Sequence, residues 1–317
     1  MYDFRDYGQG IYLFDTEYVR PCLAGAYLLV HNGRAAFFDT GTNHSLGKAM
    51  DVLTRVGLSA ECVDYVIVSH VHLDHAGGAG AMMREFPRAR LVVHPRGARH
   101  MAEPAKLVAG VTAVYGAGYV AKMYGDIVPV ANDRIIEAHH GLELDLAGRR
   151  LYCLDTPGHA RHHICLVDSL SGGIFSGDMF GLSYPGMAID GHPFIFPTTT
   201  PTQFEPDAIR ASLDLLMQQA PIAFYLTHYG RVDEVGEMRS ELQRRLDAHQ
   251  DIAWRHRHAG ADRQSLIRAA LTDFLLAERQ AAGCSMQREE VLDWWSGDLE
   301  LNAQGLVCWL DSVAIAA

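Results

Sequence analysis

Apolar residues fall in two rhythms along this chain. Before residue 230 they come as short runs, rich in β-branched and aromatic side chains, bounded by Gly, Pro, Asn or Asp. Such runs predict buried strands. Residues 10–40 read mainly as strand: 26–30 and 35–38, joined by His31-Asn32-Gly33, predict a hairpin with an Asn-Gly turn. Runs at 63–68, 90–94, 151–154, 164–167, 174–175 and 222–226 predict further strands. Between them, Leu46, Met50, Leu53 and Val56 keep helical spacing. So do Ile209, Leu213, Leu216 and Met217 behind Pro206, a residue suited to a first helical turn. Residues 77–86 predict a helix stopped by Pro87. Residues 97–125 hold helical stretches broken by glycines, which fits either a lid or a packed surface excursion. Beyond 230 the period becomes helical throughout, first at Val235, Met238, Leu242 and Leu246, then from Leu266 to Leu275. The expected organisation is a strand-and-helix unit over 1–230 and a mainly helical extension over 231–317.

Composition narrows the partners. The chain has 317 residues, 49% hydrophobic and 21% charged, enough for a sizeable core. Its 38 acidic residues against 27 basic ones give a net charge of −11, which argues against a polyanion while leaving room for a local basic patch. A small-molecule substrate is expected, with no nucleic acid and no membrane partner; a homodimer is left open. No run approaches the ~18 apolar residues of a membrane span. The charged N-terminus, Met1 to Tyr7, does not resemble a signal peptide, so the expected location is the cytoplasm. Six cysteines without CxxC spacing predict buried free thiols.

Chemistry concentrates at 69–78, Ser-His-Val-His-Leu-Asp-His-Ala-Gly-Gly, on the loop that leaves the strand at 63–68. A lone histidine there would read as a solvated or core residue. Four ligand-type residues in six positions, His70, His72, Asp74 and His75, read as a metal site. On a turning loop His70 and His72 can share one ion, while Asp74 and His75 project elsewhere and suit a second. Three more candidates also follow predicted strands: His159 in Thr-Pro-Gly-His, Asp178 in Ser-Gly-Asp, and His228 in Thr-His-Tyr-Gly. Asp39-Thr40-Gly41, at another strand end, suits hydrogen bonds to loop amides or a plain turn.

This ordered set, HxHxDH followed by the three later residues, resembles the metallo-β-lactamase superfamily at all seven ligand positions, over roughly residues 10–230. The resemblance implies an α/β fold, an αββα four-layer sandwich. It implies His70, His72 and His159 on a first metal and Asp74, His75 and His228 on a second, with Asp178 bridging. The cofactors implied are two divalent ions, Zn2+ first, with Fe or Mn as alternatives. Asp74 is a candidate general base and Tyr184 a candidate oxyanion donor, although in related lactonases the tyrosine follows the aspartate more closely. His162 and His163 are candidates for a supporting or pocket role. Phe180, Tyr184, Phe194 and Phe196 suit an apolar acyl group. The exported β-lactamases lack the bridging aspartate, flavodiiron enzymes replace the second histidine, and the nucleases add basic arms or large insertions. The expected activity is therefore hydrolysis of a small, weakly charged thioester or lactone, similar to glyoxalase II and the acyl-homoserine lactonases. The alternatives are a single-iron persulfide dioxygenase, a phosphodiesterase of the same superfamily, and a metal-dependent binding protein without activity.

Overall fold

The computed structural model describes residues 4–283 and 287–316. The first half holds β1 (Phe4–Asp6), β2 (Ile11–Asp15), β3 (Gly25–His31), β4 (Arg34–Phe38), α1 (Leu46–Arg55), β5 (Val63–Ile67), α2 (Leu73–Ala76), α3 (Ala79–Glu85), β6 (Arg90–Val93), α4 (Pro95–Ala102), α5 (Ala105–Tyr115), α6 (Ala117–Tyr124) and β7 (Ile135–Glu137). The second holds β8 (Leu142–Leu146), β9 (Arg149–Asp155), β10 (Ile164–Asp168), β11 (Ile174–Gly177), α7 (Pro206–Met217), β12 (Phe224–Leu226), β13 (Gly230–Val232), α8 (Val235–Arg255), α9 (Arg263–Ala281) and α10 (Arg288–Ala316). One sheet has the order β1-β2-β3-β4-β5-β6-β7 and the other β13-β12-β11-β10-β9-β8.

Strand alternation builds four layers. On β3 and β4, Tyr27, Leu29, Ala36 and Phe38 face the second sheet and meet Leu151, Ile164, Leu166, Phe175 and Tyr225. Their neighbours Leu28 and Phe37 face outward, against Val52 and Leu53 of α1, Met82 and Met83 of α3, and Met101 of α4. The second sheet turns its other face, with Leu154, Cys165, Ile174, Phe224 and Leu226, to α7 and the C-terminal helices. The expected αββα sandwich is what the chain forms.

Three features depart from the expectations. The C-terminal helices share one buried cluster with the second sheet: Leu242, Leu246, Leu271, Leu275, Trp295 and Leu306 pack with Ile174 and Phe224. The expected boundary at 230/231 falls inside β13, which pairs with β12. The helix expected over 77–86 begins only at Ala79, because Gly77-Gly78 form the turn between α2 and α3, and both glycines press against backbone. A Cβ on Gly77 would sit 2.3 Å from the Leu73 carbonyl oxygen, and one on Gly78 2.7 Å from that of Thr42. Finally, β7 and β8 escaped the sequence reading, although Leu142, Leu144 and Leu146 alternate with acidic residues as a half-buried strand should.

Cys153 and Cys165 are buried thiols, as expected, while Cys22, Cys62 and Cys308 are half-buried and free. Cys284 lies outside the described residues. Among the described residues no helix is long and apolar enough to cross a membrane.

Candidate metal centre

Topology gathers the candidate residues at one edge. β4 and β5 run parallel, and the chain leaves them at Asp39 and at Val68-Ser69. In the other sheet β10 is antiparallel to both β9 and β11, and β12 is parallel to β11. β9, β11 and β12 therefore point the same way, and His159, Asp178 and His228 follow their ends. Two bonds clamp the edges together: Ile164 N–H donates to the Ser69 carbonyl at 2.7 Å, and Gly25 N–H to that of Thr227 at 2.8 Å.

The seven residues fall into overlapping groups, each with donor atoms within 4.8 Å of one another: His70, His72 and His159; His70, His75 and Asp178; Asp74, His75 and His228. His70 Nε2 lies 2.8 Å and His159 Nε2 3.1 Å from His72 Nδ1. His228 Nε2 lies 3.4 Å from Asp74 Oδ2 and 3.3 Å from His75 Nε2. Asp178 stands between the groups: Oδ2 is 3.4 Å from His159 Nε2, and Oδ1 is 3.2 Å from His75 Nε2 and 3.7 Å from His228 Nε2. Its Oδ1 and the Nδ1 of His159 are buried without hydrogen-bond partners among the described residues. Donors on one tetrahedral zinc, each ~2.1 Å from it, stand about 3.4 Å apart. The spacing and the donor types fit a first-row divalent cation.

A second layer aims the ligands. Asp39, fully buried, accepts from Ser69 N–H (2.7 Å), Ser69 Oγ (3.0 Å), Thr227 Oγ1 (2.6 Å) and His75 Nδ1 (2.8 Å). It thus ties together the loops after β4, β5 and β12, and leaves His75 Nε2 facing the centre. The Leu23 carbonyl accepts from His228 Nδ1 at 2.7 Å with the same result. His163 Nε2 accepts the Asp178 N–H at 3.3 Å, and His162 Nδ1 that of Val71 at 3.4 Å. Gly177, at φ +50°, permits this closeness, since a Cβ there would sit 2.6 Å from that of Ser69.

The two groups carry opposite proton affinities. Burial pushes the His72 pKa down to about 3, helped by His159, and pushes His70 well below the ordinary imidazole value. Burial acts the same way on His75, but Asp178, Asp74 and Asp39 outweigh it and raise its pKa. The Asp178 and Asp74 carboxylates raise that of His228 against burial. In return, the histidines hold Asp74 and Asp178 below the usual carboxylate range although burial opposes it.

Comparison with known proteins matches residues 19–228 to the model of the metallo-β-lactamase superfamily. The chain belongs to that superfamily. It is 28% identical over 186 residues to a metallo-β-lactamase fold-containing protein of Sulfurisphaera tokodaii, covering 57% of this chain and 63% of that protein. It is 29% identical to a hydroxyacylglutathione hydrolase of Synechococcus over 55% of this chain and 56% of that one. With an acyl-coenzyme A thioesterase of Gallus gallus it shares 30% identity over 40% and 44%. The chain thus spans less than two thirds of the length of the curated relatives it matches. A superfamily protein from Thermus thermophilus aligns over 96% of this chain and 94% of its own, with TM-score 0.65 and 20% identity, which shows the shared fold.

For a member of this superfamily, two expectations need correcting. The Tyr184 hydroxyl donates to the Asp298 carboxylate, at 3.0 and 3.1 Å, rather than standing free beside the centre. Tyr184, 1% exposed, borders a cavity of about 530 Å³ together with the polar Ser183, His192 and Tyr229, while Phe180, Phe194 and Phe196 do not line an acyl pocket, each being at most 3% exposed. The C-terminal helices cover them. Arg245 of α8 and Arg279 of α9 flank the Phe194 ring at 4.0 and 5.2 Å, and donate to the Ile195 and Met187 carbonyls.

The sequence reading missed a tyrosine group on the Asp74 side. Tyr18 and Tyr124 share a 2.7 Å hydroxyl contact, and Tyr124, with Val120, packs on Leu73. Tyr115 and Tyr119 stack beside them, each about 40% exposed. Burial, then the Asp74 charge, raises the pKa of Tyr18, Tyr115 and Tyr124. The excursion expected at 97–125 therefore packs against the Asp74 side of the centre. Repeated tyrosines in an Ala/Gly-rich stretch were the available signal.

Proposed function

We propose that this chain is a metal-dependent hydrolase that cleaves a small thioester or lactone. The observation that carries the reading is the placement of Asp178, whose two carboxylate oxygens face the two histidine groups. His70, His72 and His159 would hold one divalent ion, Asp74, His75 and His228 a second, and Asp178 would span them; zinc suits this donor set best, with iron or manganese as alternatives. Bound there, the ions would acidify water into a nucleophile at neutral pH and polarise a carbonyl.

The chain's own residues prepare the rest. Asp39 and Leu23 fix the His75 and His228 rings, so that both Nε2 atoms face inward. Asp74, half-buried and held anionic, is placed to accept a proton from the attacking water. The apolar faces of Tyr115 and Tyr119 offer a wall for an acyl group. The low-identity hydroxyacylglutathione hydrolase and acyl-coenzyme A thioesterase relatives support a thioester. The test combines elemental analysis of never-chelated protein with a screen of thioesters, lactones and a bis-aryl phosphodiester. We expect about two first-row ions per chain and chelator-sensitive turnover of carbonyl substrates. Folded protein with no metal, or preference for the phosphodiester, overturns the proposal.

A further inference from the structure

Beside His162 lies a groove of about 430 Å³, lined by Pro95, Arg96, Arg99, His100, Arg161, His162 and Gln203. Its walls come from α4 and from the loop after His159. The His162 ring, one of those walls, stands 5.9 Å from the His72 ring and 6.3 Å from that of His70. The groove therefore adjoins the first histidine group.

Three arginines line this groove in a chain of net charge −11. The acid groups nearby leave most of that charge uncompensated. Arg161 pairs with Glu205 at 2.7 Å, while Asp155, 3.3 Å from the His94 ring, makes no ion pair with these arginines among the described residues. Arg99 makes no ion pair among the described residues, and Arg96 reaches only the Arg161 carbonyl, at 3.5 Å. The scaffold is also tied in place. Gln203 Oε1 accepts the Arg161 N–H at 2.8 Å, and Gly158 accepts the Glu205 N–H at 2.8 Å, so the arginine-bearing loop is anchored beside His159. Planar guanidinium forks match carboxylate and phosphate oxygens, and arginine stays charged at any working pH.

We propose that this groove binds an oxyanion carried by the substrate, a carboxylate or phosphate remote from the carbonyl that reacts at the His/Asp centre. The inference rests on the hydrolase reading and sharpens it: the substrate is an anionic thioester. It departs from the weakly charged substrate that whole-chain charge predicts. Net charge sums over the entire surface, whereas a substrate meets the local field beside the site.

The test uses the full metal-loaded chain and three acetyl thioesters, whose thiols are N-acetylcysteamine (neutral), mercaptopropionate (carboxylate) and phosphopantetheine (phosphate). Wild-type protein should favour an anionic thioester, and the better of the two anions identifies the group. In the double variant Arg96→Ala/Arg99→Ala the ratio of kcat/KM between that thioester and the neutral one should fall roughly tenfold or more, through KM. Added salt should lower the same ratio in the wild type. The neutral thioester reports whether the variant is folded. An unchanged ratio, or a wild type that favours the neutral thioester, overturns the groove. If the wild type cleaves none of the three, the thioester reading falls, and calorimetric titration with free phosphopantetheine and mercaptopropionate decides the groove separately. Binding that the double variant lacks sustains it; no binding to the wild type overturns it.

Discussion

His70, His72 and His159 meet as three imidazoles whose protonated forms are suppressed, whereas Asp74, His75 and His228 meet as a carboxylate with two histidines that hold their protons tightly. Without a cation the second group can balance its own charge, because protonated histidines pair with Asp74 and Asp178. The first group brings three ring nitrogens to one point, an arrangement that protons satisfy only in part. The contrast teaches that one fold edge can host two candidate metal-binding groups with different demands. The first set leaves room for a cation that protons do not replace, and in the second a cation would have to displace protons.

Breaking the link between the halves should have the largest effect. Asp178→Ala removes the one carboxylate that faces both groups, so we expect metal content to fall below one ion per chain and activity by at least about a hundredfold. Circular dichroism should show the fold retained. Full occupancy with full activity would reduce Asp178 to a loop residue. Next comes Asp39→Asn, which weakens the hold on His75 and should act mainly on the second group. Metal affinity there should drop roughly ten- to a hundredfold while the first group stays loaded, as equilibrium dialysis would show. Equal loss from both groups would erase the distinction.

A smaller effect concerns protons. Ligand imidazoles must be neutral, so metal binding should expel protons from His75 and His228 but not from His72. Calorimetric titration in two buffers of different ionisation enthalpy should therefore register proton release at pH 7. The same raised pKa values give metal-free protein a stabilising contribution that is fully present below pH ~6.5, the unfolded histidine value. That contribution is lost as pH rises through the folded values, and urea melts at rising pH should show the decline. The first group acts with the opposite sign: its unfolded histidines take up protons below pH ~6.5 that the folded ones refuse, so its stabilising contribution is complete once pH exceeds that value, and the decline is read above it. Absence of both signals would show the halves to be alike. Smallest of all should be Tyr184→Phe. Its hydroxyl is engaged by Asp298, so kcat should fall less than about tenfold; a loss of a hundredfold or more would return Tyr184 to an oxyanion role.

Much of this molecule is written locally. The runs at 63–68, 151–154, 174–175 and 222–226 form strands because β-branched and apolar residues are bounded by turn formers, and the ligand residues follow each run directly. Asp39 was visible as a hydrogen-bonding strand end, and the structure shows which three loops it holds. Contacts remote in sequence were not visible. Phe194 and Tyr184 read as pocket residues because nothing near them in the chain announces Trp295 or Asp298, about a hundred positions later. The tyrosine wall likewise joins Tyr18 to Tyr124. The arginine groove joins Arg96 of α4 to Arg161 of the loop after His159, below a whole-chain charge that pointed the other way.

The sequence by itself determined the strand and helix periods, the seven candidate residues at the strand ends and the superfamily, because each depends on spacing or identity within a short stretch. Only the tertiary structure decided which aromatic residues became core, which side chains aim the ligands, and where positive charge gathers. Those outcomes depend on which surfaces close over one another, and period and composition do not encode that pairing.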